Sequence, residues 1–101
     1  MAKHDEIRAN YRELDEVAGK FTNQAQAVEE MTKGLKSRMN PLESGGWKGR
    51  GSQAFFAKMN GEVLPALKRL QDALTMASQV TKEAGQTLKQ AEQQGASRFR
   101  T

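Results

Sequence analysis

Asn40-Pro41-Leu42-Glu43-Ser44-Gly45-Gly46-Trp47-Lys48-Gly49-Arg50-Gly51 is the stretch on which the fold turns. It holds four glycines, a proline and the only tryptophan of a 101-residue chain, and it separates two long segments that each carry a regular apolar period. Before it, apolar or small residues recur at Ile7, Tyr11, Leu14, Ala18, Phe21, Ala25, Val28, Thr32, Leu35 and Met39, in alternating steps of four and three. That is the heptad seam of a helix with one covered face. The residues between are mostly good helix formers and no proline precedes Pro41, so a helix is expected over about 4–39. Pro41 disfavours a helical Asn40 and is expected to end it.

After the hinge, a second seam reads Phe56, Asn60, Val63, Leu67, Leu70, Leu74, Ala77, Thr81, Ala84, Leu88 and Ala91, widened by Phe55, Met59, Leu64 and Val80. It predicts a helix over about 52–94, with Ser44 or Ser52 as its cap and a flexible tail from Ala96 to Thr101. Pro65 lies inside this helix, removes one backbone donor and presses on the Gly61 carbonyl, so a local bend is expected there and not a break. The fold class is therefore all-α, an antiparallel helical hairpin in a single domain over 1–101, with the hinge at about 40–51. Two narrow seams shield each other poorly. Pairing with another hairpin into a four-helix bundle would complete the core.

Composition closes off several functions. Hydrophobic residues make up 37% and charged residues 28%, there is no cysteine, and no apolar run reaches the roughly 18 residues of a membrane span. The start Met-Ala-Lys-His-Asp-Glu has no apolar core of a cleaved secretory signal. His4 is the only histidine, and the adjacent pairs Asp15/Glu16 and Glu29/Glu30 diverge by about 100° on a helix, so no metal, no cofactor and no catalytic residue is expected. Gly46 and Gly51-Ser52 match the outer frame of a phosphate loop but lack its lysine and its preceding strand. No small-molecule substrate follows.

The net charge of +4 is unevenly spread: −3 over residues 1–32, +5 over 33–58 and +2 over 59–101. Nucleic acid is a poor match, because acidic residues populate the helices and aromatics do not interleave with the basic ones.

Trp47 and Gly49 form a W-x-G tripeptide at the hinge of a hairpin of about a hundred residues, and this combination resembles the WXG family of type VII secretion. The resemblance is closer to the early secreted antigenic target (ESAT)-like branch. There the tryptophan is followed by a glycine two on, small residues four and five on, and an aromatic eight on; here these are Gly49, Gly51, Ser52 and Phe55. Glu83-Ala84-Gly85-Gln86, then Glu92 and Phe99, repeat the spacing of that branch's C-terminal segment.

The resemblance implies a non-enzymatic protein, cytoplasmic before export and then secreted without a cleaved signal peptide by an ATPase-driven machine. It also implies a homodimer or heterodimer with another WXG-type hairpin. The family's Y-x-x-x-[DE] export signal follows the second helix, where this chain has no tyrosine; Tyr11-Arg-Glu-Leu-Asp15 fits the pattern only on the first helix. A partner carrying the signal is the expectation. An intracellular chaperone-like adaptor for a larger toxin, or a basic helical nucleic-acid binder, are the alternative classes.

Overall fold

The computed structural model describes residues 2–99, with side chains from 10 to 95, so Ile7 and His4 lie outside the described side chains. Helix α1 spans Ala2–Pro41, α2 Arg50–Lys58 and α3 Leu64–Phe99. A π turn, Leu42–Gly46, prolongs α1, and a second, Met59–Val63, joins α2 to α3 in one unbroken helical run. No strand occurs among the described residues, and the architecture is the expected all-α hairpin.

Three boundaries differ from expectation, whereas the second helical run passes Pro65 without a break, as expected. Pro41 does not stop α1 at residue 39: it adopts helical angles (φ −63°, ψ −34°), and the helix widens into a π turn where the ring removes a donor and crowds the preceding turn. Non-helical backbone is thereby confined to Trp47-Lys48-Gly49 instead of the whole of 40–51. Pro65 is met the same way, because Gly61, whose carbonyl the ring would press, sits inside the π turn Met59–Val63. Beyond Gly95 the chain stays helical to Phe99, so no frayed tail begins at Ala96; Arg100 and Thr101 lie outside the described residues.

The chain groups into two compact units. In the unit of Met1–Asn23 with Thr75–Thr101, the helices meet over small residues. Ala18 is fully buried and Ser78 nearly so. The Ser78 hydroxyl donates to the Ala18 carbonyl at 2.9 Å and lies 2.7 Å from the Thr22 hydroxyl, which reaches the same carbonyl at 3.2 Å. Two hydroxyl hydrogens serve three contacts, so one hydroxyl donates to the Ala18 carbonyl while the other donates either to that carbonyl or to the first hydroxyl's oxygen. Gly85 lies against Leu14 and the Tyr11 carbonyl: a Cβ placed on it would stand 3.6 Å from the Leu14 Cβ. The Lys89 ammonium sits 6.0 Å from the centre of the Tyr11 ring, at the outer range of a cation–π contact.

The unit Gln24–Leu74 is packed by larger groups. Ala25, Met39, Ser52 and Phe56 are buried, flanked by half-buried Val28, Thr32, Leu35, Val63, Leu67 and Leu74.

The covered stripe of the second helical run departs from the expected seam. It reads Ser52, Phe56, Met59, Val63, Leu67, Gln71, Leu74, then Ser78, Thr81, Gly85, Leu88 and Glu92. Across the π turn it takes three consecutive steps of four, because a wider turn holds more residues, before the four-and-three alternation returns. The expected positions Leu70, Ala84 and Ala91 are exposed one residue ahead of the covered line, Ala77 is half-buried beside Ser78, and Leu70 is 47% exposed.

Candidate functional site

The hinge is closed by backbone bonds. The Trp47 N–H donates to the Leu42 carbonyl at 3.0 Å, ending the π turn, and Trp47 then takes an extended conformation (φ −125°, ψ 113°). Gly49 follows with φ 122° and ψ −178°, a region that a residue bearing a Cβ adopts only under strain. Glycine two residues after the tryptophan is therefore a conformational requirement of this turn. The Gly49 carbonyl starts α2 by accepting from the Gln53 N–H at 3.1 Å and from the Ser52 hydroxyl at 2.8 Å. Neither expected cap acts as one, since Ser52 donates backwards to Gly49 and Ser44 donates to the Asn40 carbonyl at 2.7 Å.

This turn lays Trp47 on two aromatic neighbours. Ring centroids lie 5.3 Å apart for Trp47–Phe55, 5.7 Å for Trp47–Phe56 and 5.3 Å for Phe55–Phe56, in tilted or edge-on geometry that suits ring quadrupoles. Phe56 is buried beneath the other two, whereas Trp47 and Phe55 remain 41% and 39% exposed. Beside them opens a cleft of about 520 Å³, with Phe56 and Ala57 among its lining and Gln53 and Asn60 on its side. The Asn60 amide donates to the Glu43 carboxylate at 3.4 Å.

The basic middle of the chain is only partly neutralised. Lys33 pairs with Glu29 at 3.2 Å and Lys58 with Glu62 at 2.7 Å, while Lys36, Arg38, Lys48 and Arg50 have no ion pair among the described residues. Lys68 on α3 is held above its usual pKa by its hydrogen bond to Asp72 and by that carboxylate's charge. Among the described residues no group of three or more His, Cys, Asp or Glu could hold a metal ion, and no helix is long and apolar enough to cross a membrane.

A second feature recurs in each unit. Leu70 and Val80 stand one position before the covered residues Gln71 and Thr81, and Val17 and Met31 stand one position before Ala18 and Thr32. All four are large, apolar and 40% to 57% exposed. Positions one residue ahead of the covered line fall on the same side of both helices, because an antiparallel pair is related by a two-fold axis normal to its plane. Each unit thus carries an uncovered apolar flank: Met31 and Leu70 in Gln24–Leu74, Val17 and Val80 in the other.

Of the residues singled out in the sequence, Trp47 and Phe55 are brought together and Gly49 shapes the turn between the helices. A Cβ on Gly51 would meet nothing within 4 Å, so the chain's own packing does not require glycine there. Among the seam residues Phe56 is buried, and Tyr11, Leu14, Phe21, Val28, Leu35, Val63, Leu67, Leu74 and Leu88 are half-buried. Leu70 faces solvent on the apolar flank. Sequence reasoning missed Ser78, which hydrophobicity does not mark, and quoted Gly85 only within the C-terminal segment, without a packing role; the seven-residue steps Gln71, Ser78, Gly85 were the available signal.

A family model, WXG100, described as proteins of 100 residues with WXG, matches residues 6–93. No curated protein and no solved structure gives a match.

Proposed function

The chain belongs to the WXG100 family, and from that premise we propose that it is a substrate or co-exported dimer partner of a type VII secretion system, with no catalysis of its own. Proteins of this family are secreted by type VII systems and pair as dimers. The observation that carries the reading to this chain is the uncovered apolar flank beside a W-x-G hinge whose tryptophan stays 41% exposed. Exposed leucine, valine and methionine side chains on an uncovered flank of each unit are costly in water and are relieved by a second hairpin. Such pairing makes the single WXG-type domain half of a four-helix bundle.

If the hairpins pair antiparallel, the +5 hinge region of one chain approaches residues 3–16 of the other, which carry −2. Screened over about a Debye length, such charges set orientation and association rate more than affinity, and they suit a homodimer as well as a heterodimer. The secretion ATPase is the machine component that would engage the assembled pair, with the protein cytoplasmic beforehand.

Two variants test this reading. Leu70→Asp should abolish dimerisation in light scattering while leaving most of the helical circular dichroism, because the side chain is already half in water within one chain. Trp47→Ala should keep most of the helix signal and lose export into the culture medium. Wild-type protein that stays inside cells with an active type VII ATPase overturns the proposal.

A further inference from the structure

We propose that the hinge cleft docks an acidic peptide segment that inserts one apolar side chain against Trp47 and Phe56. The proposal rests on the reading of this hinge as a part engaged during export, and names the chemistry of what engages it.

Three observations converge on the site. The first is a preorganised aromatic surface: three rings within 5.3 to 5.7 Å of one another hold Trp47 in place while it keeps 41% of its surface free. Tryptophan fixed in this way offers large contact area at little entropic cost, as at binding hot spots. The second is the cleft, about 520 Å³ and within the range of ligand pockets, roughly 300–1,000 Å³. Its floor of Phe56 and Ala57 accepts an apolar side chain, and the amides of Gln53 and Asn60 can both donate to and accept from a peptide backbone. The third is charge: residues 33–58 carry +5, Lys48 lines the cleft, Arg50 opens α2 beside it, and neither cation has an ion pair among the described residues.

The cleft also faces away from the apolar flank. Gln53, Ala57 and Asn60 each follow a covered residue (Ser52, Phe56, Met59) by one position, whereas Leu70 precedes one. A step of one residue is about 100° around a helix, so the two features occupy opposite flanks. Pairing through the apolar flank leaves the cleft open to a further component.

Chemistry favours a peptide over a nucleic acid. The rings form one compact cluster instead of a spaced platform for successive bases.

Because Trp47 is the only tryptophan, its emission reports on the cleft directly. The full-length dimeric protein is titrated with a short synthetic peptide of aspartate and glutamate around one central leucine. Controls are the same peptide with serine for leucine, with lysine for the acids, phosphatidylglycerol-containing vesicles, and oligothymidylate. A saturable emission change with the acidic leucine peptide, weakening as salt rises, is expected. Lys48→Glu with Arg50→Glu should weaken it about tenfold or more, and Ala57→Phe, filling the cleft from an exposed position, should abolish it with helix content and dimer unchanged.

No emission change, an equal response to the basic or leucine-free peptide, or tighter binding of vesicles or oligothymidylate overturns the proposal. Export separates this from failure of the family reading. If only the docking proposal fails, wild type and both variants reach the medium equally; if the export reading fails, wild type itself does not.

Discussion

The unit of Met1–Asn23 with Thr75–Thr101 and the unit Gln24–Leu74 are built from the same two helices and held by different means. In the first, the contact is made by Ala18, Ser78 and Gly85, and its polar groups are fully used by hydrogen bonds between Ser78, Thr22 and the Ala18 carbonyl. In the second, Phe56 carries Trp47 and Phe55 at the hinge, and these two rings keep about two-fifths of their surface in water. Small residues stabilise by letting backbones approach, which leaves nothing reactive or adhesive at the contact. Large aromatics stabilise with part of their area and hold the remainder in a fixed pose, which makes the hinge the region able to recognise something.

The comparison breaks most readily at Phe56. Phe56→Ala removes the ring on which the other two rest, and should cost about 3 kcal/mol or more in urea denaturation; a loss below ~1 kcal/mol would show that the hinge cluster is ornamental to stability. Ala18→Leu attacks the other unit. With no exposed surface at residue 18 the added atoms must displace Ser78, and about 1–3 kcal/mol should be lost, read as a lower thermal midpoint.

Gly49→Ala should cost about 1–2 kcal/mol through strain at φ 122°, while Gly51→Ala should be neutral or better, since its Cβ enters open space. Equal effects at the two glycines would refute the conformational account of the W-x-G spacing. The smallest change sharpens the comparison. Gly85→Ala should stabilise by about 0.5–1 kcal/mol in the same denaturation assay, because its Cβ would make ordinary contact with Leu14 at 3.6 Å and alanine is the better helix former. A clear loss there would mean that the small-residue contact is tighter than its distances indicate.

The hairpin was legible because its evidence is periodic and redundant: ten seam positions before the hinge and eleven after it all agree, so no single residue decides the outcome. The hinge was legible because tryptophan among glycines has few other places to be. The phase of the second seam beyond Leu67 was not legible. Leu70, Ala77, Ala84 and Ala91 look like core, yet Gln71, Ser78, Gly85 and Glu92 lie under the covered line. Small polar residues bury at little cost when the facing backbone satisfies them, and no hydrophobicity pattern records that compensation. Pro41 misled for a related reason, since its penalty presumes α geometry and the chain escapes it through a π turn.

Local chemistry by itself determined that this protein has two long helices, a hinge within about 40–51 and a basic middle, because each of these follows from spacing, propensity or charge along the chain. Which apolar residues are spent inside the hairpin and which are left on its flank was decided only in three dimensions. Within Gln24–Leu74 the π turn at Met59–Val63 shifts the covered line so that Leu70 turns outward, while ring contacts at the hinge bury Phe56 beneath Trp47.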